Sequence, residues 1–184
     1  MKVNHIDLNI KVTGKGKPFI WGHGLMGSMA LEDSVGWFGW EAFGELTQLI
    51  RYDARGHGHS QATPSPEDYR WSNLAQDMLG LADALETGPF IAGGQSMGCA
   101  TSIYAGLQAP ELVKALLLVN PPTAWEIRAE QASLYGRFSL AVRLLGPGIM
   151  GRLLGRNPER LLPAWLVAGA GDQMSAYTGL VGQM

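Results

Sequence analysis

The chain is poor in sulfur, in charge and in long apolar stretches, and each shortage excludes something. One cysteine, Cys99, stands among 184 residues. A lone thiol makes no internal disulfide and no thiolate metal cluster. Charged residues are 16% of the chain, and 14 basic against 16 acidic side chains leave a net charge of −2. No Lys/Arg stripe forms, so nucleic acid is not an expected partner. No apolar run nears the ~20 residues that span a bilayer, which argues against a membrane protein. The opening Met1-Lys2-Val3-Asn4-His5 lacks the apolar core and cleavage site of a signal peptide. Together these absences predict a cytoplasmic protein. Histidine is scarce too: four in all, at positions 5, 23, 57 and 59.

Strand and helix signals are present in alternation. From His5 to Val12, apolar Ile6, Leu8, Ile10 and Val12 alternate with polar residues, which predicts one half-buried strand containing His5. Gly14 to Pro18 marks a turn. Phe19-Ile20-Trp21 reads as a buried strand feeding Gly22-His23-Gly24. Residues 34–45 carry Trp37, Phe38, Trp40 and Phe43 near helical spacing. Leu46 to Tyr52 reads as a strand. Trp71 to Leu85 reads as a helix with Leu74, Met78, Leu81, Ala82 and Leu85 on one face. Phe90 to Gly93 is a predicted strand, Met97 to Ala109 a helix, and Ala115 to Val119 a continuous buried strand. The alternation predicts an α/β fold, a mostly parallel sheet with helices on both faces. After Pro122 the pattern turns helical. Residues 1–122 are therefore expected to form a core and 123–184 a helical cap or lid.

Gly94-Gln95-Ser96-Met97-Gly98 matches G-x-S-x-G between a predicted strand and a predicted helix, the context that gives this motif meaning. A sharp bend there exposes the serine hydroxyl above the sheet edge. Strand and helix nearly collide at such a bend, so small residues must flank it. The helix start offers unpaired N–H groups to a developing oxyanion.

Two further segments stand in order before it: His23-Gly24-Leu25-Met26-Gly27-Ser28 and Asp53-Ala54-Arg55-Gly56-His57-Gly58-His59-Ser60. The three together resemble the α/β-hydrolase superfamily over residues 1 to about 122. The resemblance implies an incomplete α/β-hydrolase core with Ser96 as nucleophile and the backbone N–H groups of Leu25 and Met97 as the oxyanion hole. It implies a small-molecule acyl or ester substrate, and neither cofactor nor metal. His23 is implied to organise its own loop. His57 and His59 are read as turn and packing residues, and Cys99 as a small buried residue without a redox role. Trp37, Phe38 and Trp40 are read as packing the first helix on the sheet, in preference to lining an acyl pocket. Serine at the bend argues against the epoxide hydrolases and haloalkane dehalogenases of this fold, which use aspartate there. Residues 51–60 with Gln95 to Gly98 are similar to 3-oxoadipate enol-lactonases, so ester or lactone hydrolysis is the implied chemistry. Enzymes of C–C cleavage, acyl transfer and haloperoxidation share these motifs, as do non-catalytic receptors.

A serine hydroxyl is a weak nucleophile until a base takes its proton. In the superfamily the acid and then the histidine follow the serine. Every histidine here precedes Ser96, so the resemblance assigns no catalytic histidine within this chain. Asp172, after Trp165 to Gly171, is a candidate acid, but that stretch also reads as small-residue helix of the cap, the preferred reading. A C-terminally shortened hydrolase, inactive by itself on esters, is the expectation. Substrate identity and oligomeric state are not legible.

Overall fold

The computed structural model describes residues 1–122 and the isolated helical positions 137, 140, 141, 144 and 145. The expected cap falls almost wholly outside the described residues, and Asp172 entirely so. No helix among the described residues is long and apolar enough to cross a membrane.

Two short strands open the fold, β1 (Lys2–Val3) and β2 (Ile6–Asp7), paired antiparallel. A five-stranded sheet follows, built from β3 (Ile10–Thr13), β4 (Lys17–Gly22), β5 (Thr47–Tyr52), β6 (Phe90–Gln95) and β7 (Val113–Val119). Its order is β3-β5-β4-β6-β7. Only β3 runs antiparallel, against β5, and the other pairings are parallel. Between the strands lie α1 (Met29–Val35), α2 (Trp40–Leu46), a 3₁₀ turn at Pro66–Tyr69, α3 (Trp71–Ala84) and α4 (Met97–Gln108).

The period-2 geometry of strands divides the core in two. Ile20, Ile50 and Ala92 point to the face covered by α3 and α4, among Leu74, Met78 and Leu81. Phe19, Trp21 and Leu49 point to the other, against Phe38, Trp40 and Phe43. On this second face Trp21 meets Phe38 and Trp40 edge-on at centroid distances of 5.0 and 5.5 Å. Both faces of the central strands are thus covered, as the unbroken apolar runs require.

Four expectations need correction. The stretch from His5 to Val12 is not one strand: Asn4 and His5 take left-handed φ values of 47° and 69°, which turn β1 back onto β2. His5 therefore sits in a turn. The alternation of buried Ile6 and Leu8 holds, but Val12 is 41% exposed because β3 borders the sheet. The helix expected over 34–45 is two helices. Ser28 caps α1 by accepting from Leu31 N at 3.1 Å, and Gly36 at φ 68° ends it. Leu46, expected to begin a strand, closes α2 and is 80% exposed. Finally, β7 is not buried: Leu116, Leu117 and Leu118 are 36–44% exposed, since among the described residues β7 pairs with β6 alone.

Candidate active site

Ser96 stands between β6 and α4 as the residue that caps α4. Its φ of 50° and ψ of −105° lie where a residue with a Cβ is strained, a conformation that persists only when its surroundings over-determine it. They do so here. Ser96 N donates to Val119 O at 3.0 Å, and Cys99 N donates back to Ser96 O at 3.0 Å. Below the bend, β4, β6 and α4 approach so closely that a Cβ on Gly98 would overlap Gly22 O, and one on Gly94 would overlap the Gly98 backbone. The flanking glycines are thus a steric requirement of the crossing. Cys99 fills the remaining gap, its Sγ 2.9 Å from Gly94 O and 3.1 Å from Val119 O. Burial pushes its thiol up against the opposing pull of the backbone at Val119, Ser96 and Cys99 itself, so it stays protonated.

The bend opens onto a cavity of about 180 Å³ lined by Gly24, Leu25, Met26 and Gly27, by Leu31, Glu32, Val35 and Trp37, and by Gln95 and Ser96. Ser96 and Leu25, two of the residues proposed from sequence, therefore share one cavity. Met97, the third, is the first residue of α4. Its amide has no partner within the helix, while its side chain is buried in the core. Trp37 corrects the packing expectation. It is 55% exposed and lines the cavity, whereas Phe38 and Trp40 pack as expected.

The loop from His23 to Ser28 is held at both ends by the segment after β5. Ala54 N donates to His23 Nε2 at 2.9 Å. That nitrogen therefore carries no proton, and Nδ1 donates to Gly24 O at 2.7 Å. At the other end Met29 N donates to Asp53 Oδ1 at 2.7 Å. Asp53 Oδ2 accepts from Asn9 Nδ2 at 2.8 Å and from His59 N at 3.0 Å. The His57 ring packs 5.0 Å from that of His23. Burial, and then the neighbouring His23, pull the His57 imidazole down to about 3. His23 is thus committed within its loop, the buried His57 ring holds Nδ1 2.9 Å from Arg55 O with Nε2 left unpartnered, His5 is in the β1–β2 turn, and no hydrogen bond joins any of the four histidines to Ser96. Sequence reasoning missed Asp53 as the clamp. It also missed Glu32, whose carboxylate accepts from Trp21 Nε1 at 2.9 Å and pairs with Arg51 at 3.1 Å. Their partners are backbone amides or residues remote in sequence, which leave no local mark.

Comparison with known proteins agrees with this architecture. The family model described as alpha/beta hydrolase fold matches residues 17–146. A putative carbamate hydrolase RutD of Klebsiella pneumoniae is 37% identical over 73 residues, 40% of this chain and 27% of the relative. A 2-(acetamidomethylene)succinate hydrolase of Mesorhizobium japonicum is 28% identical over 119 residues, 64% of this chain and 40% of that one. The chain thus spans less than half the length of these curated relatives. The crystal structure of the enol-lactonase from Burkholderia xenovorans LB400 superposes with a TM-score of 0.66 at 25% identity, covering 97% of this chain and 70% of that one.

Proposed function

The chain belongs to the α/β-hydrolase fold family, and on that footing we propose that it carries the nucleophile and the oxyanion hole of a serine hydrolase acting on carboxylic esters or lactones. The observation that carries this reading is Ser96, strained at φ 50° and opening onto the cavity that Leu25 also lines. Relatives named as carbamate and 2-(acetamidomethylene)succinate hydrolases, and a structural neighbour named as an enol-lactonase, support hydrolysis of a small acyl compound.

In the proposed reaction Ser96 Oγ attacks the substrate carbonyl carbon and gives its proton to a base. The carbonyl oxygen takes the electron pair and is held by the Leu25 and Met97 amides, fixed donors aimed at a charge that develops only during reaction. When the pair returns, the bond to the leaving alkoxide breaks, and the alkoxide takes up the proton. Water then adds to the acyl-serine, freeing the acid and restoring the hydroxyl. The net change is ester plus water to acid plus alcohol. His23 is committed within its loop, and His57 is buried and held neutral, with no bond from either to Ser96, so the base is not assigned to a histidine of this chain. The alternative reading is a non-catalytic binding protein on this fold, since such proteins share the same motifs.

A fluorophosphonate probe in imidazole buffer, which supplies an external base, tests the proposal. Mass spectrometry should find a single adduct on Ser96, absent from Ser96→Ala. No adduct, or one on another serine, overturns the reading and leaves the binding-protein alternative.

A further inference from the structure

We infer that the cavity beside Ser96 is an acyl-binding subsite for a short, uncharged, apolar acyl group, and that it discriminates against acyl groups ending in a carboxylate. The inference rests on Ser96 being the nucleophile. Its first support is the wall. Leu31 and Val35 are four residues apart on α1 and so share one face, and both line the cavity with Leu25 and Met26. The left-handed Gly36 ends α1, and Trp37, the next residue, also lines the cavity.

The second support is charge. Among the described residues lining the cavity there is no lysine, arginine or histidine, and Glu32 is the only charged side chain. Its two carboxylate oxygens are already committed, Oε1 to Trp21 Nε1 and Oε2 to Arg51. Arg51 in turn is spent on Glu32, Asp33 and the Met29 carbonyl, with its guanidinium 4.0 Å over the Trp40 ring. Among the described residues, no lining cation is left to receive a substrate carboxylate. A carboxylate entering these walls would lose its water with nothing in exchange.

The third support is size. An apolar cavity of roughly 150 Å³ admits benzene, so one of about 180 Å³ fits a chain of roughly six heavy atoms on the same scale.

The test follows the rate at which p-nitrophenyl alkylphosphonates modify Ser96, with methyl, butyl, hexyl, decyl and ω-carboxypentyl groups, in imidazole buffer. The rate should rise roughly fourfold per added methylene as each is buried up to hexyl, then level or fall at decyl. The carboxypentyl compound should react at least tenfold more slowly than hexyl. Val35→Phe, which fills the cavity, should slow hexyl at least tenfold more than it slows methyl. Trp37→Ala, at an exposed position, should restore decyl and covers the case in which Val35→Phe does not fold. If no member modifies Ser96, the nucleophile reading falls. If Ser96 is modified with a rate indifferent to chain length, or fastest with the carboxylate, the nucleophile stands and the subsite is overturned.

Discussion

Ser96 and His57 are two residues held by their surroundings in states they would not choose alone. At φ 50° and ψ −105°, Ser96 stores roughly 1–3 kcal/mol of backbone strain. Glycine reaches positive φ without steric penalty. Ser96→Gly should release the strain, against roughly 0.5–1 kcal/mol for the freer unfolded chain. The larger effect wins, so the variant should be more stable by about 1 kcal/mol, read as a higher urea midpoint at unchanged slope. Ser96→Ala keeps its Cβ and should shift the midpoint far less. A lower midpoint for glycine would mean that residue 96 is unstrained. His57 is held neutral. Its pKa falls from the ordinary 6.5 to about 3, through burial first and His23 second. Between those values the unfolded chain binds a proton that the folded chain refuses. Its contribution is therefore complete above the unfolded value and drains away as pH falls toward the folded one. Going from pH 7 to pH 5 should remove roughly 2 kcal/mol from the native protein and correspondingly less from His57→Phe. Urea curves at the two pH values measure the difference, and equal losses would sink the assignment.

Among elements, the loop from His23 to Ser28 takes its shape from the segment after β5. His23 accepts from Ala54 N at one end, and Asp53 accepts from Met29 N, the start of α1, at the other. Gly58, at φ 51°, lies so close to the Asp53 carboxylate that a Cβ there would overlap it. Asp53→Ala strands three donors, those of Met29, Asn9 and His59. The Met29 bond is buried and the other two are only partly so, and at roughly 1–3 kcal/mol for a buried donor left unpaired the loss should reach at least about 1 kcal/mol. Asp53→Asn keeps one oxygen acceptor and should lose clearly less. Urea unfolding ranks the two, and adduct formation at Ser96 should slow in the same order. The glycines at the bend were legible because close approach admits no other residue. Asp53 was not, because it bonds mainly to backbone. Periodicity told which faces of Ile6 and Leu8 are buried but not that the chain reverses at Asn4 and His5. The ALLLV run of β7 shows apolarity without showing what covers it. Trp37 was misread because helical spacing continues through Gly36, whose left-handed φ ends α1.

At the scale of the whole molecule, the buried ion pair of Arg55 and Asp77 joins segments far apart in sequence. Arg55, in the loop after β5, donates from Nε and from Nη2 to the two carboxylate oxygens of Asp77 on α3, each at 2.6 Å. Asn4, in the β1–β2 turn, donates to Gln76 O at 2.8 Å and reaches Asp77 Oδ1 at 3.4 Å. The N-terminal hairpin, the helix behind the sheet and the loop bearing Asp53 and His57 thus meet at one carboxylate. Burial, and then the charge of Asp77, push the neighbouring Tyr52 phenol up, so it stays protonated. Removing either partner of a buried pair leaves the other charge desolvated and alone, which costs about 3–5 kcal/mol. Arg55→Ala and Asp77→Ala should each show a loss of that order in urea unfolding. Replacing both with apolar residues of similar length, Arg55→Met with Asp77→Leu, removes both charges together and should recover most of it, because the pair's attraction is largely offset by its own desolvation. Strongly non-additive losses are the expected result of the double-mutant cycle. If the single losses are small and simply add, the three segments are held by apolar packing, and the ion pair only decorates their junction.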